Sequence, residues 1–162
     1  MASAWRRGGR GFTLIEIVIT VAIVGLLASA ALPLASMAMR REKESDLRAA
    51  LQQIRGAIDA YKDAAAAGRV QIEATKSGYP ENLRLLYEGV EDASSPNKVK
   101  IYFLRRLPRD PMFPDPAAAP ADTWGLRSYA SPPADPQPGD DVFDVYSLAT
   151  GQGLNGVSYR DW

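Results

Sequence analysis

Cysteine and histidine are both absent from the chain. Their absence removes thiol nucleophiles, imidazole general bases, and thiolate or imidazole ligands for a transition metal. No disulfide braces the fold, even if the chain works in an oxidising compartment. A sustained basic stripe is lacking as well. The 19 basic residues are balanced by 19 acidic ones, and nothing reads as a nucleic-acid surface. No glycine-rich phosphate loop follows a strand pattern. The carboxylates show no spacing that points to a catalytic pair, so the chain is not read as an enzyme. Its 162 residues suffice for one modest domain plus an anchor.

Charge is missing from one long stretch. No charged residue occurs between Ile17 and Met39. Residues 12–39 exceed the ~20 residues that a helix needs to cross a bilayer core. Glu16 stands at the mouth of this run, where an unpaired carboxylate disfavours insertion. Arg6, Arg7 and Arg10 precede the run, and Arg40, Arg41 and Lys43 follow it. With basic residues on both sides, the positive-inside rule does not orient the span. An ordinary secretory signal peptide is an open alternative, with Ala28-Ser29-Ala30 as its cleavage site. Gly25, Ala28, Ser29, Ala31, Ala35 and Ser36 are small, which suits close helix approach in lipid. Pro33 has no N–H, so the Ser29 carbonyl loses its helical donor. Gly25 to Pro33 is therefore the weakest helical stretch.

The junction Gly11-Phe12-Thr13-Leu14-Ile15-Glu16, after a basic leader and before a proline-containing span, resembles that of type IV pilins and type II secretion pseudopilins. The resemblance implies that a prepilin peptidase cuts between Gly11 and Phe12 and methylates the Phe12 amine. It makes Glu16 the assembly carboxylate, which meets the N-terminal ammonium of a neighbouring subunit. It also implies that the stretch marked by Gly25 and Pro33 unwinds in the filament. Loss of the leader leaves 16 basic residues against 19 acidic ones.

Beyond Arg40 the pattern becomes amphipathic. Leu47, Leu51, Ile54, Ile58 and Tyr61 recur at helical spacing and form one apolar face. Glu44 and Arg48 read as an i,i+4 pair on the other side. Gly68 is placed to stop the helix. The stripe is short for a coiled coil, so packing on the chain's own sheet is preferred. The Tyr79-Pro80-Glu81-Asn82 segment predicts the start of a second helix, with Leu83, Leu86, Tyr87 and Val90 as its buried stripe. Residues 98–104 are strand-like. Residues 111–122 and 130–141 read as Pro-, Ala- and Asp-rich loops, with strands at 124–129 and 142–148. Either face of the last strand could meet the stem.

These elements predict an α+β fold of four parts. Residues 1–11 are a cleaved leader, 12–39 a transmembrane or filament-core helix, and 40–68 an amphipathic stem. Residues 69–162 are a head with a small antiparallel sheet, a type IV pilin-like arrangement. Leu107-Pro108-Arg109-Asp110-Pro111 is similar to the LP-x-DP turn of G-type pseudopilins, and the closing Asp161-Trp162 fits the same group.

The resemblance implies a helical homo-oligomer in the bacterial inner membrane, single-pass, with its head in the periplasm. The implied partners are minor pseudopilins, the peptidase/methylase, and the assembly platform with its secretion ATPase. A type IV pilin or a competence pseudopilin is the alternative. Many G-type pseudopilins hold calcium in the C-terminal loop. Here the residues between Leu148 and Tyr159 include no Asp or Glu, and calcium requires hard oxygen ligands. The calcium site is not carried over, and Asp135, Asp140, Asp141 and Asp144 read as a solvated turn. No cofactor is expected; calcium stays open as an alternative, with Asn155, Ser158, Asp161 and backbone carbonyls as its candidate ligands, but the C-terminal loop does not support it. The tail 149–156 is flexible by composition, and Trp162 is expected to pack back.

Overall fold

The computed structural model describes residues 12–73 and 75–162, apart from the side chains of Ala30 and Leu32. The leader, with Arg6, Arg7, Arg10 and Gly11, lies outside the described residues. The chain divides into two compact units, one ending at Arg40 and the other spanning Arg41–Trp162.

Helix α1 runs Leu14–Ala66 and retains Pro33 within it. Its start is set by Thr13, whose side-chain oxygen accepts the Glu16 N–H at 3.3 Å. An N-cap threonine satisfies one of the orphan donors of the first turn in this way. Its end is a Schellman turn. Gly68 N–H bonds the Ala65 carbonyl and Arg69 N–H bonds the Ala64 carbonyl, at 3.0 and 2.9 Å. Gly68 sits at φ 71°, where a β-carbon is unfavourable.

Within the second unit, one face of α1 carries the core. Leu47, Leu51, Ile54, Ile58 and Tyr61 are all buried, and Ala50, Ala57, Ala64 and Ala65 complete the stripe. They pack with Leu83, Leu86, Leu104, Leu107, Trp124, Val142, Val145 and Tyr159 of the same chain. The stripe thus covers the chain's own head. The Tyr61 ring meets Phe103 at 5.4 Å, and burial raises the Tyr61 pKa.

Helix α2 is shorter than the sequence predicts, spanning Arg84–Glu88. Pro80 lies before it, outside any helix and between two bends. The Asn82 side chain accepts the Arg84 and Leu85 N–H groups at 3.0 and 3.3 Å. An Asn oxygen offered to the first-turn donors competes with continuing the helix backwards. Val90 leaves α2 and opens strand β1 (Val90–Glu91), which pairs antiparallel with β2 (Lys100–Ile101). The rest of the predicted strand at 98–104 docks differently. Phe103 and Leu104 both donate to the Leu86 carbonyl, at 3.0 and 2.8 Å. Beside this ladder, Arg69 bonds Asp92 at 2.6 Å. That bond, with help from Ser94, holds the Asp92 carboxyl at a pKa of about 2.

A short 3-10 helix, Pro120–Thr123, leads into β3 (Trp124–Arg127). Strand β4 (Asp144–Ser147) pairs with it antiparallel, Leu126 opposite Val145. The head therefore holds two separate two-stranded ladders among the described residues instead of one sheet. Of the two faces of β4, Val145 and Ser147 point inward and are fully buried. Val142 is also buried, but it lies before the strand and donates its N–H to the Pro80 carbonyl at 2.8 Å.

The tail departs from the flexibility its composition suggests. Gln152 bridges to Ser158, and Gly153 N–H bonds the Val157 carbonyl at 2.7 Å. The Trp162 ring packs on Tyr159 at 5.1 Å.

Candidate functional site

Phe12 and Glu16 lie at the start of α1. Phe12 is 78 % exposed, and Glu16 is exposed in the first helical turn. An acidic group there is favoured by the helix dipole, by about 0.3–1 kcal/mol. Among the described residues, no side chain or N–H donates to the Glu16 carboxylate. Thr13, at the N-cap, is the local partner that sequence reasoning missed. The signal was present as Thr13-x-x-Glu16, the pattern of a capping box.

Every described side chain from Phe12 to Met39 is exposed, although nearly all are apolar. At ~25 cal/mol per Å² of apolar surface, such a helix demands lipid or neighbouring helices. By length and composition, α1 is able to cross a membrane. Three hydroxyls of this stretch bond to the helix's own backbone. Ser29 and Ser36 donate to the Leu26 and Pro33 carbonyls at 2.7 and 2.8 Å, and Thr20 donates to the Glu16 carbonyl. Gly25 and Pro33 both stand within continuous helix. A β-carbon at Gly25 would meet no heavy atom within 4 Å, so its small size leaves open space on the helix surface.

The head contains a second polar centre, built on the Leu107–Pro111 turn. Asp110 is fully buried. It accepts the Ser147 hydroxyl at 2.6 Å and the Met112 N–H at 2.7 Å. Its own N–H bonds the Thr123 hydroxyl oxygen at 3.1 Å. The Pro108 carbonyl accepts the Trp124 indole N–H at 2.9 Å. The turn thereby ties β3 and β4 to the segment that follows α2.

The carboxylates of the later loop do not converge. Asp144 receives Arg55 at 2.7 Å and Arg127 at 3.4 Å. Asp141 accepts the Ser77 hydroxyl, the Ser128 hydroxyl at 2.7 Å and the Tyr129 N–H at 2.8 Å. Burial pushes the Asp141 carboxyl up, but these bonds outweigh it and hold the pKa below the usual value. Asp135 accepts the Gln137 amide at 2.8 Å.

Glu44 and Arg48 do not form the solvent-facing pair expected of them. Glu44 is 3 % exposed and accepts the Leu154 N–H at 2.9 Å and the Tyr159 hydroxyl at 3.0 Å. Arg48 stacks over the Trp162 ring at 4.2 Å. A helix face that carries charge is turned inward here because the tail supplies donors and an aromatic plane.

Comparison with known proteins bears on the helix start first. Residues 6–32 match the prokaryotic N-terminal methylation motif. Over 113 residues the chain is 30 % identical to the type II secretion system core protein G of Klebsiella michiganensis. That alignment covers 65 % of this chain and 70 % of the relative. The chain belongs to this pseudopilin family. No solved structure matches it. The α+β architecture described above, one long apolar helix followed by small antiparallel ladders, is consistent with a pilin-like pseudopilin.

Proposed function

We propose that this pseudopilin is a structural subunit of the periplasmic pseudopilus that drives protein export in type II secretion. The observation that carries the reading is the methylation motif on an apolar helix start, in a chain similar to a core protein G. In this reading Gly11 and Phe12 flank the leader cut, and Phe12 receives the methyl group. Glu16 pairs with the Phe12 ammonium of an adjacent subunit. The span sits in the bacterial inner membrane with the head in the periplasm, and the subunit has no catalytic role. Minor pseudopilins, the peptidase/methylase, and an assembly platform with its ATPase are the partners that the reading requires. The Gly25–Pro33 stretch is where the helix gives way on assembly, since Pro33 leaves the Ser29 carbonyl without its helical donor.

Processing tests the proposal directly. The mature chain is expected to begin at a methylated Phe12, and Gly11→Val is expected to block the cut by crowding the small-residue position. Intact-mass and N-terminal analysis of membrane-extracted protein checks both. A mature chain beginning near Ala31 would establish an ordinary signal peptide instead.

A further inference from the structure

The C-terminal loop is organised around a negative charge. The Leu154 N–H and the Tyr159 hydroxyl both point at Glu44, at 2.9 and 3.0 Å. Both are donors, so the polarity is that of an anion site. A calcium site needs the reverse, six to eight oxygens converging on one point.

Several of the loop's oxygens accept hydrogen bonds from within the loop. The Gly151 carbonyl accepts the Tyr159 N–H, Gly153 accepts from Gly156, Val157 from Gly153, and Ser158 from Asp161. The Val157 carbonyl also takes the Trp162 indole N–H at 3.2 Å. The Asn155 side-chain oxygen accepts the Val157 N–H at 3.1 Å. Asp161 is exposed. Among the described residues, no group of three or more acidic side chains is arranged to hold a metal. The residues present do not fit calcium.

Three stem residues replace it. At 100° per residue, Arg48 lies about 40° and Arg55 about 20° around the helix from Glu44, so all three share one face. Glu44 takes the loop's donors, and Arg48 covers the Trp162 ring. Arg55 reaches the Trp162 and Val145 carbonyls at 2.7 and 3.0 Å, and Asp144 at 2.7 Å. Close packing completes the closure. A β-carbon on Gly153 would lie 2.2 Å from the Trp162 ring, so the loop fits only with glycine there.

We infer that Glu44, together with Arg48 and Arg55, latches the C-terminal loop in the position that calcium would otherwise organise, and that this head folds without calcium. The full chain in detergent, held in EGTA or in excess calcium chloride, tests the inference. Thermal midpoints are expected to agree within about 1 °C, with equal amide exchange across residues 149–162. A resident site saturated 100-fold above its dissociation constant would raise the midpoint by several degrees. Such a rise, with saturable binding of one calcium per chain, overturns the inference. In calcium-free buffer, Glu44→Ala is expected to speed exchange at residues 149–162 by roughly tenfold or more, a change of about 1.4 kcal/mol or more in local opening. Glu44→Gln, which keeps one acceptor, is expected to lie between. Unchanged loop exchange in Glu44→Ala also overturns the latch. Should a variant fail to fold, the wild-type protein with and without calcium still distinguishes the two outcomes.

Discussion

Glu16→Ala is expected to enter the membrane and lose its leader normally, yet to give at least roughly tenfold fewer filaments and little secreted cargo. A hydrogen bond to a charged group contributes about 1.5–3 kcal/mol, and each 1.4 kcal/mol is a factor of ten in an association constant. The pair that Glu16 would form with a neighbour's ammonium is repeated at every subunit, so its loss compounds along a filament. Desolvation of both charges offsets part of the gain. Within one chain, Glu16 contributes only the small dipole term at the start of α1, so insertion and helix formation are expected to survive its removal. Glu16→Gln separates the contributions. It behaves like the alanine variant if charge dominates, and like wild type if hydrogen bonding suffices. Cross-linking of membrane fractions, alongside measured secretion, reads the outcome. Normal filament yield from Glu16→Ala would leave Glu16 as a peptidase-recognition residue alone.

Asp110→Ala is expected to lower the stability of the head by about 3 kcal/mol. The alanine leaves the buried Ser147 hydroxyl and the Met112 N–H without their acceptor. Each buried polar group left unsatisfied costs about 1–3 kcal/mol. For a domain of this size the thermal midpoint falls by roughly 10 °C. Asp122→Ala removes an exposed carboxylate next to Thr123 and is expected to stay within about 0.5 kcal/mol of wild type. Asp110→Asn keeps one acceptor and is expected to fall between. Thermal unfolding of the full chain in detergent compares the three. Equal midpoints for Asp110→Ala and Asp122→Ala would show that the turn tolerates losing its centre.

The stem was legible because its signal is periodic. Leu47, Leu51, Ile54, Ile58 and Tyr61 repeat at the helical spacing, and every one of them is buried. Gly68 was legible for a conformational reason, since a left-handed residue closes the Schellman turn. The apolar start was legible from composition and from the Gly11–Glu16 motif.

What remained hidden depends on partners distant in sequence. Glu44 and Arg48 satisfy an i,i+4 pattern whether they face water or a tail more than one hundred residues away. The tail reads as flexible because glycine and polar residues carry no periodicity, and its order comes from a carboxylate on another element. Asp110 lies within a recognisable turn, but neither its burial nor its grip on Ser147 follows from that pattern. Helix α2 begins later than its sequence predicts because Pro80 suits a first turn, while Asn82 takes the actual first donors. The candidate assembly residue Glu16 was named from the sequence motif. Its geometry was not legible, since Glu16's proposed partner belongs to a second copy.

An apolar helix that leaves lipid for a filament interior exchanges one hydrocarbon-like solvent for another. In the proposed assembly, residues 12–39, exposed along their described length, would gain almost no net hydrophobic free energy from that exchange. The two states are therefore close to balance for the helix itself, and small polar terms set its direction. In the proposed pseudopilus the membrane would serve as a reservoir of subunits, and growth of the fibre would be governed by whatever work is supplied at its base and not by an irreversible collapse of greasy surface.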